Sequence, residues 1–303
     1  YVLNHGGIYL SSAGNSGVWG YRRPWSNAPS STYHSFAPSD EGLQITIPRK
    51  STMRVVLQWT QPWGKATTDL AIELWDSGIT TRLAASDTNN INGNPADYLE
   101  YTNPGNNDLP ANLSLRLKSG SANGLTIWLV NWGGWRVGEY RDQFTSTITG
   151  HSQAEHGYSI GAAPYFNRDI AEEFSSRGST IYYFDDSGNA LNPPRQINKP
   201  DFLGIDGCDT SFFGGDIAND ANTLPNFFGT SAASPNVAGV AALVVQAAGG
   251  AGSLTAAQLR TLLKKTAVDL GAAGFDTTYG YGRPHALGAI TAVRGPRARE
   301  ITL

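Results

Sequence analysis

The residues best equipped for chemistry lie in Phe227 to Val245, FFGTSAASPNVAGVAALVV. A Gly-Thr-Ser turn, Gly229 to Ser231, opens onto small residues and one proline. An apolar run follows in which Val237, Val240, Ala241 and Val244 recur at helical spacing. The pattern predicts that Ser231 sits where a tight turn becomes a buried helix. A serine hydroxyl is a useful nucleophile once a base takes its proton and nearby donors hold the oxyanion. The first turn of a helix offers unpaired backbone N–H groups and a partial positive charge at that point. Gly229 permits the sharp turn, and Ala232 and Ala233 keep bulk out of the approach path. Pro235 is expected in the first helical turn, where a missing N–H costs nothing. Taken alone, a Gly-Thr-Ser turn before an apolar run more commonly means a helix with a serine cap.

The longer string resembles the nucleophile segment of the subtilisin-like serine peptidases. There Gly-Thr-Ser, two small residues, a residue before Pro and an apolar Val-Ala-Gly helix occur in that order. On that resemblance Ser231 is the nucleophile. Asn236 stands where many members carry His after the proline, a position outside the catalytic set. A second segment, Gly7 to Gly17, GIYLSSAGNSG, reads as a short buried strand over Ile8 to Ser12 that stops at an Ala-Gly-Asn turn. Such a run suits a central parallel strand, and function collects at the carboxyl ends of such strands. By itself Asn15 is a turn residue. The resemblance to the family's Ala-Gly-Asn implies that the Asn15 amide donates to the tetrahedral oxyanion. It also implies that the backbone of Ala13 and Gly14 lines the pocket for the residue before the cut bond. Losing such a donor costs about 10²–10³ in rate, a magnitude known from a subtilisin.

These segments need elements to position them, and the chain divides by texture. Residues 18 to 33 form a linker rich in Ser, Pro and Asn. From about His34 the pattern becomes β. Leu43 to Ile47 and Asp69 to Trp75 alternate, Val55 to Trp59 is apolar, and Leu113 to Leu117 and Leu125 to Val130 continue the series. Strands at this spacing, separated by Gly, Pro, Asn and Asp turns, argue for an antiparallel β-sandwich over 34–147. It is inserted between two pieces of a peptidase-like domain, 1–33 and 148–303. Trp59, Trp75 and Trp128 fall within predicted strands, while Trp132 and Trp135 are candidates for an exposed platform for sugar or peptide, or for simple packing. Asp76, Asp87, Asn89, Asn90 and Asp97 show no calcium-loop spacing, and the Asn-Gly and Asn-Pro pairs here are turn chemistry.

Peptidase texture returns at Gly150. GHSQAEHGYSIGAAPY resembles the strand that follows the oxyanion Asn, with Tyr158 to Ala162 as the strand. Phe174-Ser-Ser-Arg-Gly178 resembles a family turn, and Lys199-Pro-Asp201 the segment leading towards the nucleophile. The Asp- and Asn-rich stretch from Asp206 to Asn226 reads as a solvated loop beside the cleft, with an ion site as the other reading. Thr255 with Gln258 forms a capping box ahead of a helix carrying Leu259, Leu262 and Leu263, with Gly271 as its stop. Ala286 to Ala292 resembles the short closing helix. The expectation is an α/β fold: a subtilisin-like parallel sheet flanked by helices, incomplete at the N-terminus, with an inserted antiparallel β-sandwich.

Composition narrows the partners. At 303 residues with net charge −3 and no long basic run, the chain has room for two domains and no signature of nucleic-acid binding. It holds no apolar stretch of membrane-spanning length. The single cysteine, Cys208, reads as a small structural thiol. Nothing implies a cofactor or a metal ligand set, calcium staying an open alternative. The implied partner is a protein or peptide substrate, and the implied location is secreted or extracellular.

A site of this class also needs a base and a carboxylate to orient it. In the family the chain order is Asp, His, then Ser, with Asp and His upstream of the oxyanion Asn. Only fourteen residues precede Asn15, and none of them forms an Asp-Thr-Gly, Asp-Ser-Gly or His-Gly-Thr string. His5, His34, His151, His156 and His285 lack that context. Three explanations follow. The expected one is the C-terminal portion of a longer secreted serine endopeptidase, with Asp and His on a complementary N-terminal segment. An isolated piece would then expose sheet edge and associate with that segment. The second is an inactive peptidase-like protein whose sandwich binds protein or carbohydrate. The third is a different acyl-transfer enzyme with a base recruited from His151 or His156.

Overall fold

The computed structural model describes residues 2, 6–140, 145–218 and 220–294. Strand β1 (Leu10–Ser12) is followed by β2 (Gly20–Pro24), β3 (Leu43–Ile47), β4 (Thr52–Trp59), β5 (Asp69–Asp76), β6 (Arg82–Ala85), β7 (Ala96–Thr102), β8 (Leu109–Ser119), β9 (Thr126–Asn131) and β10 (Arg136–Val137). Then come β11 (Tyr158–Pro164), β12 (Thr180–Phe184), β13 (Ala190–Ile197), β14 (Phe202–Asp206), β15 (Cys208–Asp209) and β16 (Asn226–Phe227). Three helices close the chain: α1 (Thr230–Ala247), α2 (Ala256–Thr266) and α3 (Ala286–Arg294). The residues group into two compact units, one of Tyr1–Gly17, Ile148–Thr180 and Ile197–Leu303, the other of Val18–Thr147 and Ile181–Gln196.

The first unit is built on a parallel sheet in the order β1-β11-β14. Leu10 pairs with Tyr158 and Ser12 with Ile160, while Ile160 also pairs with Phe202 and Pro164 with Asp206, so β14 begins along β11 at the level where β1 ends. Their small and apolar residues make a sheet covered by α1. Val237, Ala241 and Val244 of that helix are buried with Ile160, Ala162 and Phe202. Gly204 matters here: a Cβ would come within 2.5 Å of the Ala233 carbonyl, so only glycine lets α1 lie this close to β14. Leu259 and Leu263 of α2 and Ala289 of α3 complete the same cluster.

The helix limits depart from expectation in two places. Because α1 begins at Thr230, Pro235 falls in its second turn, where its missing N–H leaves the Ser231 carbonyl without the usual helical donor. Helix α2 stops at Thr266 rather than at Gly271, since Ala267 turns extended at φ −60°, ψ 149°. The capping box is present in both directions: Gln258 N–H donates to Thr255 Oγ1 at 3.2 Å, and Thr255 N–H to Gln258 Oε1 at 2.8 Å.

The second unit holds two large antiparallel sheets, β10-β3-β8-β5-β6 and β2-β9-β4-β7, besides most of the two-stranded β12-β13. Alternate residues of both enter one apolar cluster: Met53, Val55, Leu57 and Trp59 from β4 meet Ile45 of β3, Ile72 of β5 and Leu113 of β8. This unit starts at Val18, ahead of the expected 34, because β2 pairs with β9 through Tyr21 and Leu129. Edge strand β2 carries no alternating apolar signal, so its sequence resembles a linker. Trp135 is 2% exposed and donates its indole N–H to the Arg54 carbonyl, so it is core; Trp132 is 52% exposed. Of the acidic and amide residues weighed for calcium, Asp76 accepts from the N–H and hydroxyl of Thr80, and Asp87 pairs with Lys118.

Candidate active site

The carboxyl ends of β1 and β14 and the start of α1 come together around Asn15 and Ser231. After β1 the chain continues its pairing through Ala13, whose N–H donates to the Ile160 carbonyl at 2.9 Å. Ala13 is buried, and Gly14 turns at φ 109°, which directs Asn15 outward to an exposed position. The Asn15 carbonyl oxygen accepts twice from one residue, from the Thr230 N–H at 3.0 Å and from its hydroxyl at 2.8 Å. The Gly14 N–H donates to the same hydroxyl at 3.1 Å. Thr230 therefore fixes which face of the Asn15 amide points away. Its NH2 group has no partner among the described residues.

At the helix start every early N–H but one is engaged. Gly229, the cap residue, sits at φ 130°, ψ 157°, a conformation that favours glycine. Its N–H donates to Asp206 at 2.7 Å, and its carbonyl accepts from Ala232 and Ala233. Thr230 N–H goes to Asn15. The Ser231 N–H is left free among the described residues, and the Ser231 side chain, also without a hydrogen-bond partner there, is exposed. A Cβ added on Gly229 would lie 3.3 Å from the Asn15 amide nitrogen and 3.7 Å from Ser231 N, so the two unengaged donors sit close together at the positive end of an 18-residue helix.

The sequence reading missed Thr230 and Asp206. Thr230 was visible only as the middle of a Gly-Thr-Ser turn, and its clamp on Asn15 spans 215 positions of sequence. Asp206 was expected in a solvated loop, yet it is 0% exposed. It ends β14 facing the helix start, and nothing in the Ile-Asp-Gly string distinguishes that from a turn. Burial holds its carboxyl above the usual carboxylate range, and the carboxyl of Glu172 is raised by burial and by Asp206.

His151 and His156 stand apart from this point. His151 packs edge-on to Tyr9, which precedes β1, and His156 precedes β11. Both therefore lie at the amino ends of the strands, opposite Asn15 and Ser231, with the seven residues of β11 rising about 3.3 Å each between the two ends. A base recruited from either is incompatible with that topology. His34 belongs to the second unit, buried against Tyr21 with a pKa lowered to about 4 by burial. His5 lies outside the described residues. The Lys-Pro-Asp segment also sits at the amino ends, where fully buried Lys199 donates to Asp201 at 2.8 Å and to the Gly157 carbonyl at 2.6 Å. It anchors β14 to β11 and takes no part in the site.

The model of the subtilase family matches residues 3–282. The chain belongs to the subtilase family. Among solved structures, the subtilase chain is similar to the CspB protease of Clostridium perfringens, at TM-score 0.54 and 12% identity, over 96% of this chain and 61% of that one. It thus spans less than two thirds of that neighbour's length. A lanthipeptide protease aligns at TM-score 0.32 and 24% identity, over 47% of this chain and 43% of that one. No curated protein matches.

Proposed function

We propose that this subtilase chain is the C-terminal part of a secreted serine endopeptidase that hydrolyses peptide bonds through an acyl-enzyme on Ser231. The observation that carries this reading is the pair of free donors, the Asn15 amide and the Ser231 N–H, held beside an exposed serine hydroxyl by the Thr230 clamp. A peptide carbonyl attacked by Ser231 would place its oxyanion between them. The backbone of Ala13 and Gly14 lines the approach for the residue before the cut bond. The base and its carboxylate come from a complementary N-terminal segment that adds to the β1 side of the sheet, since β1 is an edge strand of the described sheet. The second unit is an inserted β-sandwich.

The test is labelling of the protein carrying its upstream segment with a serine-directed phosphonate, followed by mass mapping. Labelling at Ser231 that disappears in Ser231→Ala is expected. No labelling of the wild type would reject the reading. A second reading, an inactive peptidase-like protein that binds protein or carbohydrate through its sandwich, draws on the exposed Trp132 ring, 6.4 Å from that of exposed Tyr98. That outcome would leave Ser231 unlabelled in a folded, ligand-binding protein.

A further inference from the structure

Asp206 is an anomaly among the buried residues. Its side chain is fully buried, and no cation pairs with it among the described residues. One carboxylate oxygen accepts the Gly229 N–H at 2.7 Å, while the other has no partner. Burying a carboxylate with an unmatched oxygen is costly. Its pKa is raised by that burial, and its charge in turn helps to raise the pKa of Glu172. Residues that violate folding rules in this way are expected where they serve a site.

Its location says what it serves. Beyond Asp206 the chain leaves the sheet at Gly207, runs out through β15, and returns through β16 to Gly229. The base of this excursion is closed by Gly207 N–H donating to the Phe227 carbonyl at 2.8 Å and by the Asp206–Gly229 bond. Both glycines have positive φ, 76° and 130°, conformations that favour glycine at the two points where the excursion leaves and rejoins the core. Three successive N–H groups then point to three fates: Gly229 to Asp206, Thr230 to Asn15, and Ser231 free. Asn15 fixes the second and Asp206 the first, and together they determine the direction of the third.

We propose that Asp206 is a positioning residue for the nucleophile: by holding the Gly229 N–H it fixes the Phe228–Gly229 peptide plane from which the chain enters the turn that presents the Ser231 hydroxyl and N–H. This rests on the peptidase reading above. Asp206 does not touch the substrate; it acts through Gly229.

The experiment compares phosphonate labelling of wild type, Asp206→Asn and Asp206→Ala in the protein carrying its upstream segment, separating the inactivation step kinact from probe binding KI. Asn keeps an acceptor for the Gly229 N–H, and Ala removes it. The expected result is kinact within about threefold of wild type for Asn. For Ala it is a fall of about 10²-fold with KI unchanged, the scale on which small misplacements act. A folded Asp206→Ala protein that labels like wild type overturns the positioning role and leaves the peptidase reading intact. So does an Ala variant that does not fold, if Asn restores folding and labelling together, because the residue is then structural. A folded Asn variant as slow as Ala also overturns it. A silent wild type rejects the peptidase reading and the positioning role with it.

Discussion

Asn15 has two faces with separable duties. Its carbonyl oxygen satisfies the buried Thr230 N–H and hydroxyl, while its amide NH2 is free to donate. Asn15→Asp keeps the first and removes the second, so phosphonate labelling of Ser231 should slow by about 10²–10³ while the thermal midpoint stays near wild type. Asn15→Ala loses both, and its midpoint should also fall, since an orphaned buried N–H costs about 1–3 kcal/mol. Asp206 supplies a pH signature. Its folded pKa is raised by burial, so the folded state holds the proton more tightly than the unfolded chain does. The associated stability is present below the usual carboxylate range and lost as pH rises through the raised value. Asp206→Asn removes that dependence. Its melting temperature, followed against pH, should match wild type in acid and exceed it by a few degrees above the raised pKa, on a scale of about 2–4 °C per kcal/mol.

Among the elements, α1 determines the site and α2 supports it. α1 lies against the sheet through Gly204, Val237 and Ala241, which places its first turn at the carboxyl ends of the strands. Helix α2 packs Leu259 and Leu263 into the same cluster, and its start depends on the Thr255–Gln258 reciprocal bonds. Thr255→Ala should lower stability by about 1 kcal/mol in denaturant titration without slowing labelling of Ser231. The α1 and α2 starts were legible because capping and turn chemistry are encoded within a few consecutive residues. Strand β3 was legible because one buried face imposes period two on its residues, and β5 because its sequence alternates although Asp69 to Leu74 are all buried. β2, β6 and β7 were not, since short or edge strands need no such pattern, and Pro235 misled because a helix start is set by where the chain meets the sheet.

At the scale of the whole molecule the two units carry different spectroscopic labels. All eight tryptophans lie between positions 19 and 135, within the second unit, and the three α-helices of the described residues lie in the first. Leu57→Ala removes a fully buried side chain from the second unit and Leu263→Ala one from the first, each at a cost of about 2–5 kcal/mol. Leu57→Ala should lower the midpoint seen by tryptophan emission, and Leu263→Ala the midpoint seen by helical circular dichroism. Either change should register first in the probe of its own unit. Identical shifts in both probes for both variants would show that the units melt together.

The sequence alone determined the two segments that face each other, because the Gly-Thr-Ser and Ala-Gly-Asn turns are each written in a contiguous string. It also determined that β-rich residues separate them. Only the tertiary structure decided that Thr230 clamps Asn15, that Asp206 is buried beneath Gly229 rather than solvated, that His151 and His156 face the wrong end of the sheet, and that the second unit begins at Val18. Burial and hydrogen-bond partnership depend on which distant strands lie side by side, and no short window of residues contains that information.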